Sequence, residues 1–167
     1  FQHFGVVPDI LTVAKAMGGG MPLGAFISSQ EVFGVFRDNP PLSHVTTFGG
    51  HPVSCAAGHA ALEVLLEEDL AARANDIGRI IRERLRHPQI VEVRGMGALL
   101  GMELSSRALT ERLVNRCLEQ GVLLGWTLHS NTLVRIAPPL NIEYELLDTA
   151  LSVILRSLRE VGRASGS

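Results

Sequence analysis

Three consecutive glycines, Gly18-Gly19-Gly20, follow an apolar run from Ile10 to Met17 that only Thr12 and Lys15 interrupt. Glycine loses more conformational freedom on folding than any other residue, so the run ends whatever regular element precedes it. Pro22 comes next, and the stretch from Gly24 to Ser29 reads as a short buried strand. A glycine loop beside a buried strand belongs in an α/β sheet with parallel neighbours. No such neighbours can be read in the chain. Its first part is therefore expected to be an incomplete piece of a larger sheet. The start without an initiator Met and the polar tail Gly162 to Ser167 fit the same expectation of a fragment.

The rest of the chain divides by pattern. Gln30 to Phe36 suits one or two helical turns, and Arg37 to His44 is a loop by composition. A second glycine turn, Val45 to Pro52, precedes a helix over Val53 to Leu66, with Pro52 at its start. The near-continuous apolarity of that helix predicts burial, against a second subunit among other covers. Leu70, Ala74, Ile77, Ile81 and Leu85 recur at helical spacing, and Pro88 closes that helix. Strands follow at Ile90–Val93 and Leu99–Leu104, joined by a turn at Gly95-Met96-Gly97. Leu109 to Gln120 is a helix closed by Gly121. Short strands are expected at Val122–Leu124 and Leu133–Ile136, and a last helix at Glu143–Leu158. These form a compact α+β unit, with the boundary before it inside 67–75.

Composition excludes several classes. The 167 residues, 46% hydrophobic and 19% charged, suffice for a real core and do not read as disordered. Fifteen Lys+Arg against seventeen Asp+Glu give a net charge of −2, so no basic surplus favours nucleic acid or an anionic membrane. The arginines from Arg73 to Arg86 read as a solvated helix face on which Glu83 trades charge. No apolar run reaches the ~18 residues of a membrane span, and the first residues do not read as a charged-then-apolar signal pattern. Cys55 and Cys117 sit in apolar helical patterns and read as buried reduced thiols, which points to a reducing cytoplasmic setting. Neither a CxxC spacing nor a metal-like spacing among His44, His51, His59, His87 and His129 is present, so no metal is expected.

Four residues stand out. Lys15 is the only lysine. Its apolar neighbours predict burial, which favours the neutral, nucleophilic amine. A lysine snorkelling from the rim of the apolar segment is the equal alternative. A Walker loop is rejected because its glycines must precede the lysine. Gly95, Gly97 and Gly101 imitate a dinucleotide fingerprint, but a strand rather than a helix follows them. Thr46 and Thr47, before a helix start, suit a phosphate or plain helix capping. Arg135 lies on an alternating strand beside Pro138-Pro139, opposite in direction to Val134 and Ile136. There it is poised to grip a carboxylate, although a surface arginine is the simpler reading of that residue alone.

The segment from Pro8 to Phe26, PDILTVAKAMGGGMPLGAF, closely resembles the cofactor-lysine segment of the class III aminotransferases, the ornithine, acetylornithine and 4-aminobutyrate type. TTFGGHP resembles that family's threonine-glycine turn. VRGMGALLGMEL resembles the strand pair that opens its C-terminal domain, and GVLL and LVRIAPPL continue the match in order, over about residues 1–160.

The resemblance implies a C-terminal part of a fold-type-I enzyme. Residues 1–70 would be the tail of the large α/β domain and 71–162 the small α+β domain. It implies pyridoxal 5'-phosphate held covalently by Lys15, which would also shuttle a proton between substrate and cofactor carbons. Thr47, with Thr46 beside it, would bind the cofactor phosphate of the neighbouring subunit in a homodimer. Arg135 would bind the substrate carboxylate. The implied partners are an amino donor of acetylornithine or ornithine type and a 2-oxo acid, 2-oxoglutarate. His51 stands where the family usually has Asn. The family's aspartate facing the pyridine nitrogen, its ring-stacking aromatic and its other phosphate loop precede this segment, so the isolated chain is expected to be inactive. A non-enzymatic α+β dimerisation or binding module, and a mutase or decarboxylase of the same fold, are the alternatives.

Overall fold

The computed structural model describes residues 1–37, 41–126 and 130–163. His129, part of the expected loop before His44, and the tail after residue 163 lie outside them. The architecture is α/β, with mixed helices and two antiparallel sheets. The chain forms two compact units, Phe1–Glu68 and one that begins at Asp69.

In the first unit, β1 (Ile10–Val13) and β2 (Ala25–Ser28) pair antiparallel, Ile10 with Ser28 and Val13 with Ala25. The strand expected around β2 exists, but its residues are only half-buried or exposed. Helix α1 (Gln30–Phe33) follows, capped by Ser29, whose hydroxyl accepts from Val32 N. Helix α2 (Pro52–Glu67) starts with Pro52, whose missing N–H costs nothing at a helix start. The first unit by itself does not bury α2. Only Ser54 and Gly58 are buried, while Val53, Leu62 and Leu66 are exposed. Apolarity without periodicity fixes no face, and this helix meets its own unit through small residues. Cys55 is exposed for the same reason, correcting its expected burial, while Cys117 is buried.

The second unit begins with α3 (Leu70–Arg84), whose cap Asp69 accepts from Ala72 N. Its apolar spacing is realised as a stripe: Leu70, Ile77, Ile81 and the following Leu85 are buried. A four-stranded antiparallel sheet follows in the order β3-β4-β6-β5, from β3 (Ile90–Met96), β4 (Leu99–Leu104), β5 (Gly125–Trp126) and β6 (Leu133–Ile136). Strand β3 runs three residues beyond the expected Val93, so the turn is Gly97-Ala98. The strand expected at Val122–Leu124 lies instead at Gly125–Trp126. Helix α4 (Arg107–Glu119), capped by the Ser106 hydroxyl, displaces it. Gly121, at φ 82, lets Val122 N reach Cys117 O and Gly121 N reach Leu118 O, which uses 120–122 to end the helix. Helix α5 (Tyr144–Arg163) buries Leu147, Leu151, Ile154 and Leu158 against Leu100, Met102, Leu113 and Val134. Burial pushes the Cys117 thiol up, partly offset by a hydrogen bond from Ser157.

The arginine face of α3 is not wholly solvated. Arg79 does pair with Glu83 in solvent. Arg73, however, is half-buried: its Nε donates to Leu140 O at 2.8 Å, its Nη2 to Ile142 O at 2.6 Å, and it lies over the Tyr144 ring. Carbonyls that leave the sheet at a proline-rich turn need donors, and Arg73 is the long side chain within reach. Further along, α3 approaches the β3–β4 turn so closely that a Cβ on Gly78 would stand 2.0 Å from Gly97 O. Gly78→Ala is therefore expected to lower stability by about 1–3 kcal/mol in urea unfolding, since backbone rather than a flexible side chain must yield. An unchanged midpoint would deny the close approach. No helix among the described residues is long and apolar enough to cross a membrane.

Candidate active site

Strand β1 delivers Lys15. After Val13 the chain passes through Ala14, extended at φ −160 and ψ −164, and enters Lys15 at φ 60. A side chain in the left-handed region costs about 1–2 kcal/mol, because Cβ crowds the carbonyl. Among the described residues only Lys15, Leu42 and Asp69 are non-glycine residues with positive φ. Lys15–Gly18 then makes one 3-10 turn, closed at Gly19, φ 58, whose N–H donates to Ala16 O at 3.1 Å. Glycine is required there twice over: by the dihedral, and because a Cβ would stand 2.5 Å from Ala57 O of α2. The lysine's backbone is thus clamped between a strand end and a helix. Lys15 is exposed, which fits a lysine at the rim of the apolar segment, one of the two readings the sequence left equal. Ala14, Ala16 and Met17 are exposed as well, so apolar neighbours did not bring cover with them. The positive φ is the feature sequence reasoning missed, since nothing in an alanine-flanked lysine signals it.

The second glycine turn stands at the start of α2. Gly49 N donates to Thr46 O at 3.4 Å and His51 N to Phe48 O at 3.1 Å. A Cβ on Gly49 would meet Thr46 Oγ1 at 2.3 Å, so the turn folds back on the threonine. The cap residue of α2, His51, makes no side-chain capping bond. Thr46, Gly49 and Gly50 line an open groove with Thr12 and Val13 of β1 and Ala25 and Phe26 of β2. His44, treated by sequence as structural or surface, also lines it, standing edge-on to Phe26 at 4.9 Å. Thr46 is thus brought against the end of the strand that leads to Lys15, whereas Lys15 and Thr47 do not line the groove.

Arg135 belongs to the second unit. On β6, Val134 and Ile136 are buried and Arg135 is exposed on the opposite face, as alternation requires. Arg94 shares that face and is fully engaged, with Glu92 at 2.9 Å and Glu103 at 2.7 Å. Those two carboxylates stand directly opposite each other across β3 and β4, an arrangement that repels unless a cation bridges it. The Thr132 hydroxyl and Arg94 together hold Glu103 below the usual carboxylate range. Arg135 makes no ion pair among the described residues. The sheet face thus carries one neutralised arginine and one available one.

This donor set fits a phosphorylated aldehyde such as pyridoxal phosphate. A single primary amine suits the aldehyde. The hydroxyls of Thr46 and Thr47, in the turn before α2, suit a phosphate, which need not be that of the cofactor on the same chain's lysine.

Comparison with known proteins agrees. The family model for Aminotransferase class-III matches residues 1–158. Among solved structures, the ornithine aminotransferase of Toxoplasma gondii ME49 is 34% identical with a TM-score of 0.87, over 98% of this chain and 39% of that one. The acetylornithine aminotransferase of Elizabethkingia anophelis is 33% identical with a TM-score of 0.83, over 95% and 43%. A phospholyase from Arthrobacter, in complex with phosphoethanolamine, is 34% identical with a TM-score of 0.86, over 95% and 40%. The chain therefore spans about two fifths of the length of the solved chains it matches. Its motifs, its fold and these matches together show that the chain belongs to the class-III aminotransferases.

Proposed function

We propose that this chain is part of a pyridoxal-phosphate-dependent aminotransferase that moves an amino group from an acetylornithine- or ornithine-like donor to 2-oxoglutarate. The observation that carries the proposal is the only lysine of the chain, clamped at φ 60 at a strand end inside the matched region. Strained dihedrals persist where the surroundings over-determine them, and they cluster at functional sites. Pyridoxal phosphate, when bound, supplies an aldehyde for amine exchange and an electron sink for the C–H bond broken at the substrate carbon that bears the amine. Lys15 Nζ holds the cofactor and, once freed by the incoming amine, takes the proton from the carbon that bears the reacting amine. Thr47 and Thr46 hydrogen-bond the phosphate, in a homodimer that of the partner's cofactor. Arg135 grips the substrate carboxylate. In this reading 1–70 belong to the large cofactor domain and 71–162 to the small one, and the enzyme works in the cytoplasm.

The test is glutamate formation from 2-oxoglutarate by the whole protein, with acetylornithine, ornithine and simple amines as donors. Residues 1–167 alone are expected to turn over nothing. Glutamate formed by the isolated chain, free of longer protein, would overturn the fragment reading, and its absence with every donor would overturn the transaminase. The Arthrobacter phospholyase favours a second reading, elimination from an amino-alcohol phosphate. Phosphate released from phosphoethanolamine without glutamate formation selects it.

A further inference from the structure

Both neighbours of Arg135 across the sheet are glycines, Gly101 on β4 and Gly125 on the edge strand β5. Residues paired across a ladder project from the same face, so a side chain at either position would stand beside the arginine. At 125 the consequence is specific. A Cβ built there would stand 2.8 Å from Arg135 Nε, 3.1 Å from its Nη2 and 3.3 Å from its Cβ, and all three nearest atoms belong to Arg135. The backbone does not ask for glycine, since Gly125 is absent from the residues with positive φ. At 101 a Cβ would meet Leu133 instead. The Arg135 stem and guanidinium are therefore laid across bare backbone at one position only.

We propose that Gly125 is the positioning residue for carboxylate recognition. Its missing side chain lets the Arg135 guanidinium lie low over the edge strand and so sets where the fork meets the substrate. The inference rests on the reading of Arg135 as the carboxylate site. A bidentate pair needs two parallel N–H···O bonds, so a shift of the fork breaks both together. Misplacement of about 1 Å in a positioning group costs up to about 10²-fold.

Three variants of the whole protein test it: Gly125→Ala, Arg135→Ala and the double substitution. The readouts are KM and kcat for 2-oxoglutarate, the Kd of the unreactive dicarboxylate glutarate, and the visible absorbance of bound cofactor. Gly125→Ala is expected to raise KM and the glutarate Kd by roughly tenfold, to change kcat less and to leave the absorbance alone. Added to Arg135→Ala it should cost less than about twofold, because the residue it acts through is gone. An equal cost in both backgrounds, an unchanged KM and Kd, or a lost cofactor band would each overturn the proposal. If Arg135→Ala itself leaves KM and Kd unchanged, the reading of Arg135 fails first and takes this inference with it.

Discussion

Lys15→Ala in the whole protein is expected to abolish turnover, by about 10³-fold or more, and to remove the absorbance of covalently held cofactor. Two contributions vanish together, the covalent anchor and the base at the amine-bearing carbon. The fold should survive. Lys15 is exposed, and alanine at φ 60 bears the same Cβ strain that lysine does. Lys15→Arg separates charge from chemistry, since a guanidinium keeps the cation and does not attack an aldehyde. Spectra after dialysis, and trapping with borohydride, read the result. A reducible adduct that persists at another residue would move the role outside these 167 residues, because the chain holds no second lysine.

The second large effect is expected at Arg135→Lys. Lysine keeps the charge but loses the planar fork, and a partly desolvated bidentate pair loses several kcal/mol when one partner goes. Use of α-amino and α-keto acids should fall by about tenfold or more, with cofactor binding nearly unchanged. The distribution of the loss identifies the donor. A donor whose carboxylate sits at Arg135 suffers in both half-reactions, whereas a simple amine leaves its own half-reaction intact and only the keto acid suffers. Stopped-flow measurement of each half-reaction separates the cases. Unchanged rates in both would make Arg135 a surface arginine.

What the sequence revealed was set by local pattern. The stripe from Leu70 to Leu85 and the alternation of Val134, Arg135 and Ile136 are periodic, and both appear as read. Gly121 and Pro52 carry local backbone rules and punctuate the helices where expected. What escaped depends on partners distant in sequence. Apolarity along α2 announced burial, and around Lys15 it left burial and a rim position equal; it names no covering surface, and none covers them within the first unit. Arg73 looked like one more solvated cation until the carbonyls of Leu140 and Ile142 came within reach. Gly125 carried no motif at all. Its meaning lies in Arg135, ten positions later, and only the pairing of β5 with β6 brings the two together.

The Arg73 clasp also dictates when the second unit can form. It joins α3 to carbonyls 67 and 69 positions onward, and α5 supplies the far wall of the same core. Closing so long a loop costs entropy that no contact repays until both ends are present. During synthesis, the Arg73 clasp cannot form until Leu140 and Ile142 have left the ribosome, and the core that the α3 stripe shares with the sheet lacks its α5 wall until later still. A premature stop within the last helix would therefore release a chain whose earlier elements are all made and whose core cannot close.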